Sequence, residues 1–297
     1  RVLTKTQVVG SGGGAKTFSV VYAWGTSGAA TGKLTSILYP SGTRVNYGYD
    51  TAGRVSSISL NPVNANGVGT SGIDVPVLSG VTYNGTNGLL GWTWAGGVAY
   101  QRTYDSFGRL KSYPLGNPAG VGIAAGLVRT LSYDNAGRII GYTHTNASGP
   151  QAAFDQTFAY DGVDRLIQGS QGGTSVGYGY DNTGNRTSLS AGSASYANVV
   201  EATSNRLASV QRAGTSGTVT DAYQHDAAGN LTSDGSVTYS YSDRGRLAGA
   251  TTGAGTEQHR YNGLEQRVSK TGASVPTGAA YYVYDESGVL TGEYDAN

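Results

Sequence analysis

One phrase, Tyr-Asp-x-x-Gly-Arg-apolar, recurs along this chain and limits what it can fold into more than any other feature. Clear copies are Tyr49-Asp50-Thr51-Ala52-Gly53-Arg54-Val55, Tyr104-Asp105-Ser106-Phe107-Gly108-Arg109-Leu110 and Tyr133-Asp134-Asn135-Ala136-Gly137-Arg138-Ile139. Tyr180-Asp181-Asn182-Thr183-Gly184-Asn185-Arg186 and Tyr284-Asp285-Glu286-Ser287-Gly288-Val289-Leu290 follow. Degenerate copies fill the gaps. Tyr160-Asp161-Gly162-Val163-Asp164-Arg165-Leu166 has Asp in the glycine place, and His225-Asp226-Ala227-Ala228-Gly229-Asn230-Leu231 lacks the tyrosine. Tyr241-Ser242-Asp243-Arg244-Gly245-Arg246-Leu247 lacks the aspartate. Weaker still are Tyr261-Asn262-Gly263-Leu264-Glu265-Gln266-Arg267 and the tail Ser204-Asn205-Arg206-Leu207. A unit this short cannot bury a core alone, so each must lean on its neighbours.

Each position has a mechanical reason. The tyrosine ends an alternating run, as in Val45-Asn46-Tyr47-Gly48-Tyr49, which reads as a strand with Tyr47 and Tyr49 on one face. The aspartate opens a turn, its carboxylate accepting backbone N–H groups beyond it. The glycine takes the positive φ that a type I turn closing in a bulge requires. Arg or Asn then points outward, and an apolar residue starts the return strand. The unit is a β-hairpin, and Tyr39-Pro40-Ser41-Gly42 reads as a second class of turn between units. No window combines helical periodicity with low glycine content. The expected fold is all-β, tandem hairpins forming one long curved sheet over residues 1–297. Two inserts, about 61–98 and 113–126, interrupt the rhythm as edge covers or projections.

Composition agrees with short strands and many turns: Gly is 48 of 297 residues, Tyr 22, and charged residues 13%. A net charge of +1 with no basic run argues against a nucleic-acid partner. Absence of cysteine excludes disulfides and thiolate metal sites. No run reaches the ~18 apolar residues of a membrane span. A chain opening on Arg1 with no Met reads as a piece of a longer core, its targeting signals out of view.

Candidate chemistry is sparse. Gly10-Ser11-Gly12-Gly13-Gly14-Ala15-Lys16-Thr17 nearly spells a phosphate-cradling loop, but Phe18–Trp24 alternates like a strand where a helix is needed. The repeat aspartates occupy one turn position throughout, which marks structure rather than a carboxylate pair. His144, His225 and His259 are too far apart in sequence for a ligand set. Asp181-Asn182-Thr183-Gly184-Asn185 lacks the length and closing Glu of a calcium loop. No catalytic, cofactor or metal residue is assigned. Trp92 and Trp94, two apart on one strand face, are a possible aromatic contact surface for sugars or cargo, or ordinary sheet packing.

These repeats, with Leu78-Ser79-Gly80-Val81-Thr82-Tyr83, Gly91-Trp92-Thr93-Trp94 and Tyr281-Tyr282-Val283-Tyr284-Asp285, resemble the Rhs/YD-repeat proteins of bacteria, relatives of the toxin-complex C component and teneurins. The resemblance spans essentially the whole chain. It implies a strip of β-shell that encloses a C-terminal toxin domain, exported or displayed at the cell surface with secretion-spike or delivery proteins and used against competing cells. The family's autoproteolytic Asp-Pro motif has no counterpart here, since no Asp-Pro dipeptide occurs. The toxin tip is likewise not represented. The expectation is therefore a structural module, not an enzyme, and at this length an open strip with bare strand edges. The competing expectation is a repeat-built cell-surface adhesin or glycan-binding module, recognising glycans or another cell's surface. Because Tyr and Gly fall on both faces in sequence, inside and outside are not distinguishable at this level.

Overall fold

The computed structural model describes residues 1–10, 14–63, 72–117, 122, 125–214, 217–272 and 274–295. Among them are antiparallel strands and short 3-10 turns such as Gly28–Ala30 and Ala152–Phe154, and no α-helix. The chain forms two compact units, Arg1–Arg102 with Gly255–Asn297, and Thr103–Ala254.

In the first unit, Thr4–Val9, Lys16–Trp24, Leu34–Leu38, Arg44–Tyr49, Val55–Asn61, Val75–Tyr83, Leu89–Trp94 and Ala99–Gln101 pair in chain order. The strands Gly255–Tyr261, Arg267–Gly272, Ala279–Tyr284 and Leu290–Asp295 also pair consecutively. The two groups share a core. Val9, Phe18, Val20, Tyr22 and Ile37 from the beginning pack with Val268 and Val283 from the end. Phe18 lies 5.6 Å from the ring of Tyr281 and 5.2 Å from that of Tyr294. Gln7 Nε2 donates to the Tyr282 carbonyl at 2.8 Å, and Lys5 Nζ to that of Asp285 at 2.6 Å. The first strands therefore carry the last ones on one face. That explains a local break in alternation: in Ala279–Tyr284, Val283 faces this core while Ala280 and Tyr282 pack with Val275 in another. A strand buried on both faces has no reason to alternate.

The described part of the 61–98 insert corrects the expectation of a cover or projection. Val75–Tyr83 and Leu89–Trp94 are two further strands of the same sheet. Residues 64–71, and much of the 113–126 insert, lie outside the described residues.

In the second unit the strands from Thr103–Tyr104 to Gly217–Ala222 again pair in chain order, with Gly149–Pro150 added at the end of Ile139–Asn146. Gln224–His225, Leu231–Ser233, Thr238–Tyr241 and Leu247–Thr252 follow. Register sorts the side chains by face. Leu131 pairs with Tyr142, Phe158 with Gly169, Gly169 with Val176, and Tyr178 with Leu189, which pairs onward with Tyr196. Between them, Thr157, Ser170 and Ser175 form one row, and Gly177, Ser190 and Ser195 another. In these rows the aromatic and branched residues share one face with Gly169, while Ser, Thr and Gly177 lie on the other. A period of two makes this separation strict once register is fixed.

Candidate functional site: the repeat turns and the ladder between them

The Asp134 turn shows how a unit is built. Gly137 N–H donates to the Asp134 carbonyl at 3.1 Å, and Asp134 N–H to the Arg138 carbonyl at 3.0 Å. The register slips by one between Ser132 and Tyr133, so Tyr133 pairs with Ile139. This is a type I turn closed by a glycine bulge. Asp134 Oδ1 accepts the N–H groups of Ala136 and Arg138, both at 2.9 Å, and Oδ2 accepts Arg138 Nε at 2.7 Å. Asp50, Asp105 and Asp161 hold Arg54, Arg109 and Arg165 in the same way. Gly53, Gly108, Gly137, Gly184, Gly229, Gly245 and Gly288 all have φ between 71° and 94°. Asp226, Ser242 and Asp285 accept the N–H of Asn230, Arg246 and Val289 at 2.9, 3.2 and 2.8 Å.

Substitutions at the glycine place keep the backbone. Asp164 sits at φ 67° and Glu265 at 63°. The Tyr39 turn is not a separate class, because Gly42 N–H to Tyr39 O and Tyr39 N–H to Thr43 O, both 2.9 Å, repeat the same pattern. One full unit escapes the sequence pattern: Tyr83-Asn84-Gly85-Thr86-Asn87-Gly88-Leu89. Asn84 Oδ1 accepts Thr86 N–H at 3.0 Å and Gly88 N–H at 2.6 Å, and Asn87 takes φ 64°. Asparagine replaces both Asp and Gly, which only a search for turn function rather than residue identity would find.

Consecutive units are joined by their tyrosines. Tyr83, Tyr133, Tyr160 and Tyr180 donate their hydroxyls to the carbonyls of Val55, Leu110, Ile139 and Leu166, at 2.7 to 2.9 Å. Each acceptor is the first apolar residue after the preceding turn. Tyr49, Tyr241 and Tyr284 reach Leu34, Leu231 and Arg267 in the same manner. The arginines do not simply face outward. Arg54, Arg109, Arg138 and Arg165 lie over the rings of Tyr83, Tyr133, Tyr160 and Tyr180, 4.4 to 5.0 Å from the centroids. The guanidinium is drawn inward because it pairs with its own aspartate, stacks on the next tyrosine and reaches the next turn at once. Arg138 donates to Asp164 Oδ1 at 2.6 Å, Arg165 to the Asp181 carbonyl at 3.0 Å, and Arg54 to Asn87 Oδ1 at 3.1 Å.

Charge follows the same geometry. The N–H of the following arginine is the largest influence holding the Asp50, Asp134 and Asp161 carboxyls below the usual carboxylate value, with the guanidinium adding to it. At Asp181 no arginine follows. The Asn185 amide and Thr183 instead bring the carboxyl down to about 2.

Trp92 and Trp94 meet edge to face at 5.4 Å, while Tyr100 stacks on Trp92 at 4.0 Å and Arg102 caps both Trp92 and Tyr100. Trp94 is 41% exposed. His144, only 1% exposed, accepts Arg129 Nε at 3.0 Å and faces Asp155 Oδ1 at 3.2 Å, a satisfied contact chain that fixes the ring. Of the Gly10–Thr17 segment, residues 11–13 lie outside the described residues, and Lys16–Trp24 is a strand. Among the described residues no group of three metal-ligating side chains occurs, and no helix is long and apolar enough to cross a membrane.

Aspartates are thus engaged within the turns, and arginines between them. Solved structures carry the same fold. A Photorhabdus luminescens Tc holotoxin pore aligns over 90% of this chain and 14% of its own, with TM-score 0.61 and 16% identity. The TcdB2-TccC3 crystal structure aligns over 93% of this chain and 15% of its own, with TM-score 0.59 and 15% identity. This chain thus spans about one seventh of those chains. No curated protein matches it by sequence. The RHS repeat family matches residues 30–61. The teneurin YD-shell family matches residues 121–284, more than half the chain, and the protein belongs to that family.

Proposed function

We propose that the chain is a wall segment of a shell that encapsulates a toxin carried C-terminal to it, for export and delivery to target cells. The carrying observation is the ladder: the repeat turns are clasped internally, and seven tyrosine hydroxyls tie a turn to the strand that follows the preceding one, so that successive hairpins are linked within each sheet. The separation of aromatic from Ser/Thr rows in Thr103–Ala254 supports a wall with two different sides. The RHS-type proteins it resembles support the cargo, and the delivery partners follow from the same likeness. The partly exposed Trp94 beside Trp92 favours a second reading, a surface that recognises glycans.

Protease treatment of the intact parent protein separates the two. A toxin segment that stays protected, and becomes digestible once Asp134→Ala opens a turn, supports the wall. Equal digestion in both proteins overturns it and leaves the recognition surface.

A further inference from the structure

The rung between the Asp181 and Glu201 turns is incomplete, and a pocket lies there. Between the Asp181 and Glu201 turns the ladder position holds Asn185 instead of Arg, and Val200 stands where the next tyrosine would be. At three other rungs of this unit a guanidinium bridges one turn to the next. Arg138 reaches Asp161 O and Asp164 Oδ1, Arg165 reaches Asp181 O, and Arg206 reaches Asp226 O. Asn185 is too short to do this fully. Its Nδ2 donates to Asp181 Oδ2 at 2.9 Å and touches Asn205 Oδ1 at 3.2 Å, the counterpart of Asp164. Beside it lies an open pocket of about 510 Å³, lined by residues of both turns and by Val200. Glu201 Oε2 accepts the Ser204 hydroxyl at 2.6 Å, and among the described residues neither Glu201 nor Asp181 is paired with a cationic side chain. The site therefore offers the Asp181 and Glu201 carboxylates, the Asn205 amide oxygen and main-chain carbonyls; at the Arg138 rung the guanidinium takes its own aspartate, the next turn's first carbonyl and a side-chain oxygen, Asp164 Oδ1.

We propose that this pocket binds an arginine side chain presented by another polypeptide segment, which completes the missing rung. The planar, five-donor guanidinium matches several acceptors arranged around one cleft, whereas a compact ammonium would satisfy fewer. Affinity for a single side chain is low because the cleft is open to water; selectivity for the cation is its signature.

The test is a titration of the full 15N-labelled chain with N-acetyl-arginine amide, with its neutral isostere N-acetyl-citrulline amide, and with CaCl2. The arginine compound should shift the side-chain amides of Asn185 and Asn205 saturably, while citrulline leaves them in place. Glu201→Gln should weaken binding roughly two- to five-fold, the range of one solvent-exposed charge pair. Asn185→Arg, which supplies the guanidinium from within, should abolish it. Should that variant misfold, the citrulline comparison and Glu201→Gln still decide. Equal shifts with citrulline, no shift with arginine, or saturation of the same amides by calcium alone would overturn the assignment.

Discussion

Removing a single hydroxyl from the ladder tests it where its parts are best defined. Tyr133 OH donates to the Leu110 carbonyl at 2.7 Å, and the ring lies 4.4 Å from the Arg109 guanidinium. Tyr133→Phe keeps the ring and the cation contact but leaves Leu110 O without this donor. A net hydrogen bond contributes about 1 kcal/mol. Tyr133→Leu also loses the cation–π contact, a further ~0.5 to 1 kcal/mol at a half-exposed site, plus some packing. The readout is local, native-state hydrogen exchange at the Arg109 and Arg138 amides, which donate to Asp105 and Asp134. A loss of ~1 kcal/mol corresponds to roughly five-fold faster exchange at both turns. The Asn230 amide, three clear turns further along, should be unchanged. Unaltered exchange in Tyr133→Phe, or equal acceleration everywhere, would refute a ladder that couples nearest neighbours.

Gly108→Val should destabilise its turn by ~1 to 2 kcal/mol from backbone strain alone, since φ is 77° and open space surrounds the added Cβ; an unchanged unfolding midpoint would contradict this. Val283→Ala removes two methyl-sized groups from a side chain that is 1% exposed, and should cost ~2 to 3 kcal/mol, measured by urea unfolding. Burial, and then the neighbouring Arg267 charge, hold His259 below the ordinary histidine value. Its folded pKa is the lower one, so the folded state binds fewer protons. Its contribution is complete above about pH 6.5 and is lost as pH falls below that through the lowered folded value. The drop in unfolding midpoint between pH 7.5 and pH 5 should therefore shrink in His259→Gln, and an equal drop would exclude this residue as its source.

Hairpin turns were legible because the physics is local: Asp, two residues and Gly fix a bulged type I turn without reference to anything else. The arginine's position was not, because the ring that attracts it lies from 15 to 29 residues further along, as from Arg165 to Tyr180 or Arg54 to Tyr83. The Tyr83 unit stayed hidden because Asn84 and Asn87 do by hydrogen bonding and tolerance of positive φ what Asp and Gly do elsewhere. The packing of Phe18 against Tyr281 and Tyr294 is a long-range pairing that no periodicity announces, although the unalternating Ala279–Tyr284 run is its trace. Two-faced segregation was obscured by reading Tyr and Gly in sequence order. Register, not composition, puts the aromatic rows on one face and the Ser/Thr rows on the other.

The account's central claim is that each unit is energetically coupled to the next through arginine and tyrosine, and a double-mutant cycle measures that coupling directly. Arg138→Gln and Tyr160→Leu remove the two sides of one rung, whose guanidinium and ring are 5.0 Å apart. Arg138→Gln with Tyr241→Leu, in a remote unit, is the control. In urea unfolding, the adjacent pair should together cost less than the sum of the single substitutions, because either alone already breaks the rung, while the remote pair should add. Additivity in both pairs would contradict the ladder and reduce the repeats to independent hairpins.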